Sequence, residues 1–286
     1  MSRTGELIRK YDFTFRKKFG QNFLTDPSIV EKIVDASGAG PDDTVLEIGP
    51  GAGAMTVELA KRAKRVVAVE IDSALEPILR ETLSDYDNTT VIFSDVMKLT
   101  DEELLAAIGE GAVVVANLPY YITTPIIMRL LEGRLKLKSI TVMVQKEVAD
   151  RMQAQAGTKE YGALSPAVQY RAEPVRVMTV GPECFIPRPA VDSSVIRLDL
   201  YDRPKVEVKD EKLMFALIRA AFNQRRKTLP NAITGSSELS FTREQISAAL
   251  NKMGLDERIR GEVLDIEQYA RLADTLSDKH SHHVIR

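Results

Sequence analysis

Thr44-Val45-Leu46-Glu47-Ile48-Gly49-Pro50-Gly51-Ala52-Gly53 is a short aliphatic run that gives way to a glycine-rich loop, and a helical pattern follows to about residue 64. Strand, tight turn and helix in that order open a βαβ unit. The same order recurs downstream. Strands are expected at 66–71, 90–93, 112–116 and 139–144, with helical segments between them that include starts near 101 and 123. Upstream, Asp26 and Pro27 read as the cap and first position of a helix ending near Ser37, where Gly38 and Gly40 stop it. The repetition predicts an α/β fold with a doubly wound, mostly parallel sheet. Two later strands, 174–180 and 193–200, flank Phe185-Ile186-Pro187-Arg188-Pro189 and are expected as an antiparallel hairpin at the sheet edge. From 204 onward only helical patterns remain, at roughly 210–223, 225–234, 242–253 and 266–276. The boundary is therefore placed at 203. Residues 1–203 form one domain, with a basic leading segment 1–25, and residues 204–286 form a small all-helical one.

The chain has 286 residues, 44% of them hydrophobic, which suffices for a substantial core. No apolar run approaches the ~20 residues that a bilayer demands, and the leading residues are polar, so neither membrane insertion nor export is expected. One cysteine, Cys184, excludes an internal disulfide framework and fits a reducing cytoplasm. The histidines all fall within His280–His283, in a tail expected to fray, so no metal centre is expected. Net charge is −2, yet the cations are unevenly placed. Arg3, Arg9, Lys10, Arg16, Lys17 and Lys18 face only Glu6 and Asp12 in the leading segment, and Arg225-Arg226-Lys227 forms a second cluster. Such clusters are usually solvated faces, but they also suit phosphate contacts.

The buried-strand pattern 112–116 runs into Asn117-Leu118-Pro119-Tyr120. A strand's carboxyl end is where open α/β sheets bind ligands. Asn117 supplies an amide carbonyl, Leu118 a backbone carbonyl directed by Pro119, and Tyr120 a flat face. Together they suit a planar group with an exocyclic amine, such as adenine. An ordinary β-turn explains the same four residues equally well. The glycine loop lacks the third glycine of a dinucleotide fingerprint and the Lys-Ser/Thr of a P-loop. Three acids nevertheless close three successive strands. Glu70 stands where an acid accepts ribose hydroxyls, Asp95 where a side chain meets an adenine amine, and Glu47 where it would orient the loop.

This order resembles the class I S-adenosylmethionine-dependent methyltransferases, whose fold is Rossmann-like. Within them it resembles the ribosomal RNA adenine N6,N6-dimethyltransferases. The resemblance rests on Phe-Gly-Gln-Asn-Phe-Leu (19–24), Glu-Ile-Gly-Pro-Gly-Ala-Gly (47–53), Glu-Ile-Asp (70–72), Asn-Leu-Pro-Tyr (117–120) and Phe-Ile-Pro-Arg-Pro-Ala-Val-Asp-Ser (185–193). Phe-Asn-Gln-Arg-Arg-Lys-Thr-Leu (222–229) and Arg-Gly-Glu-Val-Leu (260–264) extend it over nearly the full chain. One departure is Arg188 and Ala190, where the family pattern has a further proline and a lysine.

The resemblance implies S-adenosyl-L-methionine as cofactor, closed over by Asn22 and Leu24, with Phe19, Gly20 and Gln21 alongside. It sets Gly49 against the amino-acid portion, Glu70 on the ribose and Asp95 on the adenine. Asn117 lies between cofactor and target base. For catalysis, Asn117 and Leu118 would accept the two N6 hydrogens while Tyr120 and Phe185 sandwich the extruded base. The implied substrate is a pair of adjacent adenosines in the 3′-terminal hairpin of 16S rRNA, within the small ribosomal subunit. Arg16, Lys17, Lys18, Arg225, Arg226 and Lys227 would contact RNA, and the enzyme would act as a monomer. Two alternatives remain open: an adenine methyltransferase of large-subunit RNA of the macrolide-resistance type, and a ribosome-assembly factor in which methylation is secondary. A DNA or protein-amide methyltransferase fits less well, because Leu118 fills the second position of the turn.

Overall fold

The computed structural model describes residues 2–133 and 135–280, and the rest of the His280–His283 tail lies outside the described residues. Nine strands are found among them: β1 (Phe23–Leu24), β2 (Thr44–Ile48), β3 (Arg65–Glu70), β4 (Thr89–Phe93), β5 (Ala112–Asn117), β6 (Leu137–Gln145), β7 (Ala172–Val180), β8 (Phe185–Ile186) and β9 (Ser193–Leu200). Seven form one sheet in the order β4-β3-β2-β5-β6-β9-β7. Strands β2 to β6 run parallel along it, and β9 joins β6 antiparallel. The expected pair of late strands is thus at the sheet edge. The chain winds outward from β2 through β3 to β4, then restarts at β5 on the other side of β2. That reversal puts the topological switch point between β2 and β5.

The aliphatic runs explain the sheet. Val45, Leu46 and Val113 to Ala116 are wholly buried, as expected of parallel strands covered on both faces. Each of the valines and the leucine contributes about 1.5–3 kcal/mol through burial. The helices α1 (Arg3–Lys10), α2 (Pro27–Ser37), α3 (Ala54–Ala60), α4 (Glu76–Thr82), α5 (Asp101–Ile108) and α6 (Thr123–Glu132) intervene. Helix α2 begins as expected: the Asp26 carboxylate accepts the Ser28 N–H at 2.9 Å, and Gly38 ends it at φ 67°. Helix α5 opens on a reciprocal capping box between Thr100 and Glu103. Helix α1 was not expected. Its cap is Ser2, and it buries Leu7 and Ile8 among Phe23, Ala52, Val57 and Leu79. The pair β1–β8, joined through Phe23↔Ile186 and Leu24↔Phe185, was also unexpected.

Two compact units emerge: residues 1–149 with 174–200, and residues 150–173 with 201–286. The sequence places the boundary at 203, within three residues of the observed crossing after Leu200. It also assigns 150–173 to the sheet domain, and the structure corrects this. That segment carries the end of α7 (Lys146–Gln153) and all of α8 (Leu164–Arg171) into the helical unit. There they join α9 (Glu211–Asn223), α10 (Leu229–Thr234), α11 (Arg243–Lys252) and α12 (Ile266–His280). Helix α10 begins only at Leu229, so 225–228 is a turn rather than helix. Among the described residues, no helix is long and apolar enough to cross a membrane.

The helical unit is pinned by tyrosines. Tyr161, fully buried, donates its hydroxyl to the Leu264 carbonyl at 2.9 Å, and Tyr269 donates to Gly261 at 2.8 Å. Tyr170 sets its ring edge-on to Phe215 with centroids 5.6 Å apart. Replacing Tyr161 by Phe strands the Leu264 carbonyl in the interior. A loss of about 1–3 kcal/mol is expected in urea unfolding followed by helical circular dichroism; an unchanged transition would show that this bond does not fasten the segment.

Candidate active site

Register brings the site together. Ile48 pairs with Val69 on one side and with Ala116 on the other. The next residue of each strand therefore stands level: Gly49, Glu70 and Asn117 form a row across β2, β3 and β5. A shallow pocket, partly open to solvent, sits at this row. Gly49, Gly51, Glu70 and Ile71, the turn Asn117–Tyr120, and Phe19–Phe23 line it.

The glycine loop is shaped by backbone demands. Gly49, Gly51 and Gly53 take φ of 75°, 57° and 84°, the left-handed region that side chains rarely adopt. At Gly51 a Cβ would also meet the Phe23 ring at 3.0 Å. The Glu70 carboxylate accepts the Gly51 N–H at 3.1 Å and the Asp72 N–H at 2.8 Å. Burial still pushes its pKa up to about 7 against these donors, and the nearby Asp72 charge adds to the rise. A buried carboxylate with spare acceptor capacity on a pocket wall suits a ligand that brings hydroxyl donors.

Asn117 is fixed from above. Its Nδ2 donates to the Asn22 carbonyl at 2.9 Å, which assigns the amide orientation. Its Oδ1, with no protein hydrogen bond among the described residues, remains an acceptor. The Leu118 side chain is buried, and its N–H donates to the Met143 carbonyl at 3.1 Å. The Tyr120 hydroxyl shares a 2.7 Å hydrogen bond with Ser193, anchoring a half-buried ring on the pocket wall.

Other expected residues stand elsewhere. Leu24 and Phe185 are buried together in the hydrophobic core, and neither lines the pocket. Phe185 is 3% exposed and paired to Leu24 through β1–β8, apart from the Tyr120 ring that it was expected to face across a base. Asp95, two residues past β4, is half-buried and accepts the Met97 N–H at 2.9 Å. It lies off the pocket wall, close enough to Tyr121 that its charge helps raise that phenol's pKa, after burial. Glu47 does not orient the loop by hydrogen bonding. Its carboxyl is fully buried, and among the described residues both oxygens lack hydrogen-bond partners, as does the Thr56 hydroxyl.

The cation clusters also divide. Arg16 is committed to the buried Asp72 at 3.1 Å. Lys18 is exposed and sets its ammonium over the Phe19 ring at 4.6 Å, and Lys17 shares its 3-10 turn. In the helical unit, Arg225 pairs with Glu262 at 3.2 Å. Arg226 and Lys227 are exposed and make no ion pair among the described residues. Ser193 and Asp72 stand in the sequence only as members of longer motifs, because the partners that define their roles are 73 and 51 residues away.

The family model for ribosomal RNA adenine dimethylase matches residues 12–278. The chain belongs to that family. A ribosomal RNA small subunit methyltransferase A from Lachnoclostridium phytofermentans is 54% identical over 279 residues, 96% of each chain. Among solved structures, a dimethyladenosine transferase from Plasmodium falciparum superposes with TM-score 0.74 at 26% identity, covering 90% of this chain and 98% of its own. The 23S rRNA methyltransferase ErmE follows with TM-score 0.62 at 29% identity, covering 89% and 99%. As a ribosomal RNA adenine dimethylase, this chain is an rRNA methyltransferase with the class I methyltransferase fold, as expected from its motifs.

Glu47 gives the site a pH dependence. Burial pushes its pKa up to about 8, and the neighbouring Glu70 charge adds to this. Between the ordinary value of 4.5 and about 8, the folded protein holds a proton that the unfolded chain releases. Stability from this group is complete below pH 4.5 and drains away as pH rises through 8. Glu47→Gln is therefore expected to raise the melting temperature over wild type more at pH 9 than at pH 5. Melting curves for both proteins that shift in parallel across this range would contradict the assignment.

Proposed function

We propose that this chain places two methyl groups on the N6 amine of each of two adjacent adenosines in small-subunit ribosomal RNA. The donor would be S-adenosyl-L-methionine. The observation that carries the reading is the pinned carboxamide of Asn117, whose nitrogen is spent on Asn22 and whose oxygen is the acceptor left to a ligand. Glycines free of side chains and a buried, under-used Glu70 fit a nucleoside with a ribose diol, so Gly49, Gly51, Glu70 and Asn22 would hold the donor. When bound, S-adenosylmethionine supplies a sulfonium methyl already activated for attack.

Adenine N6 is a poor nucleophile, since its lone pair is delocalised into the ring. Asn117 Oδ1 and the Leu118 carbonyl would accept its two hydrogens and draw the nitrogen toward sp³ geometry, with the lone pair directed at the methyl. Tyr120, its hydroxyl held by Ser193, would support one face of the base, a contact worth about 1–3 kcal/mol in single-strand binders. No general base is needed, because the proton on the alkylated amine is acidic and leaves to water. Asp95, through its position near Tyr121, would reach the donor's adenine only at the rim of the pocket.

Asn117→Ala is expected to lower methyl transfer by about 10²–10³-fold, as removal of a preorganised polar contact does elsewhere. Cofactor affinity should change only a few-fold. The assay uses tritiated S-adenosylmethionine with undermethylated small subunits, large subunits and naked RNA, followed by nucleoside analysis. Label in N6,N6-dimethyladenosine from small subunits supports the reading; label from large subunits alone would overturn it.

Arg226, Lys227, Lys17 and Lys18 would meet phosphates of the folded particle, in the cytoplasm and as a monomer. The high identity to a small-subunit enzyme supports this choice over the large-subunit alternative. Arg226→Glu with Lys227→Glu should weaken particle binding and flatten its salt dependence while leaving S-adenosylhomocysteine binding intact. Unchanged particle affinity would remove both residues from the interface.

A further inference from the structure

Asp72 is a fully buried carboxylate that does not line the pocket, yet three hydrogen bonds or ion pairs meet on it. Its Oδ2 accepts the Gln21 Nε2–H at 2.8 Å, and its Oδ1 takes the Arg16 guanidinium at 3.1 Å and the Ala74 N–H at 3.2 Å. Its own N–H donates to Glu70 at 2.8 Å. The Gln21 carbonyl in turn accepts the Arg16 N–H at 2.8 Å. This network holds Phe19–Phe23, the stretch that closes one side of the pocket. That stretch has little regular structure of its own, with a three-residue 3-10 turn, Gly20 at φ 55° and the two-residue strand β1, and its apolar anchor is the buried Phe23. The Asn117 hydrogen bond to Asn22 and the β1–β8 ladder also fasten it.

We propose that Asp72, with Arg16 and Gln21, is a positioning residue that holds Phe19–Phe23 closed over the cofactor pocket and so sets how long the cofactor stays. The proposal rests on the reading of this pocket as the methyl donor's site. Asp72 touches no ligand in this scheme. It acts through its carboxylate on Gln21 of the covering segment and through its backbone N–H on Glu70, so one residue ties the cover to the pocket wall. Arg16 is thereby a structural counter-ion. Removing it leaves Asp72 buried without its cation, which favours opening of the segment.

The test compares wild type with Arg16→Met, Arg16→Lys, Asp72→Asn and the double variant Arg16→Met/Asp72→Asn. S-adenosylhomocysteine is the probe, with calorimetry for affinity and stopped flow for release, and trypsin cleavage after Lys18 reports opening. Arg16 is half-exposed, so its variants test the proposal even if Asp72→Asn folds poorly. Arg16→Met and Asp72→Asn should each bind about tenfold more weakly, equivalent to about 1.4 kcal/mol, mostly through faster release. Trypsin should cut faster in both. The double variant should be no worse than either single one within about twofold, because the two side chains act as one unit. Arg16→Lys, which restores the charge, should recover most of the affinity. Melting temperatures should stay within about 2 °C of wild type for the Arg16 variants. Wild-type affinity and cleavage in both single variants would overturn the proposal alone, and so would a loss that merely tracks a fall in melting temperature. Failure of wild type to bind S-adenosylhomocysteine would overturn the pocket reading and this proposal together.

Discussion

Parallel pairing of β2 with both β3 and β5 is the constraint on which the site depends. Because Ile48 pairs with Val69 and Ala116 together, the first residues past the ladder arrive level with one another. A slip of one residue in either pair would turn Glu70 or Asn117 to the opposite face of the sheet. The buried aliphatic side chains of these strands forbid that slip, since it would carry Val66 to Val69 or Val113 to Ala116 out of their packed positions. The same hydrophobic burial that stabilises the domain therefore aligns its polar groups. Chemistry here is a by-product of register.

Three carboxylates crowd this edge, and each is accommodated differently. Asp72 is buried but fully partnered. Glu70 has two backbone donors and keeps capacity in reserve for a ligand. Glu47 has no hydrogen-bond partner among the described residues and is held in its neutral form until the solution turns alkaline. Burying a charge without a partner is the costliest of the three, and protonation is the cheapest escape from it. This gradation separates the groups that hold structure from the one that faces the pocket.

Much of this was legible in the sequence. β-Branched runs bounded by turn residues marked the strands, the Asp26-Pro27 start and Gly38 stop bounded α2 within a residue, and the site row was visible as acids and an amide at successive strand ends. What escaped detection depends on distant partners. Helix α1 offers only Leu7 and Ile8 as buried aliphatic residues among charges, so its stripe is too narrow to read without Phe23 and Leu79 to receive it. Arg16 looked like a phosphate ligand because its partner, Asp72, is brought near only by the end of β3. Phe185 looked like an exposed loop aromatic because the two-residue ladder that draws it inward has no pattern of its own. Helix α8 is buried at Leu164, Ser165, Pro166, Ala167, Val168 and Tyr170, nearly all around, so no face points to the unit that contains it.

The excursion of residues 150–173 into the helical unit bears on how the chain is made. The sheet is left after β6 and completed only when β7 and β9 emerge, and the helical unit, begun at 150, waits for residues beyond 201. Neither unit is a contiguous piece of the polypeptide. During synthesis the two must mature in alternation, with an unfinished sheet edge exposed while the intervening helices await their partners. No single cut of the chain frees either one whole, so gene fragments ending near residue 203 encode a complete sheet carrying an orphaned helical segment, with its apolar side chains left to find other company.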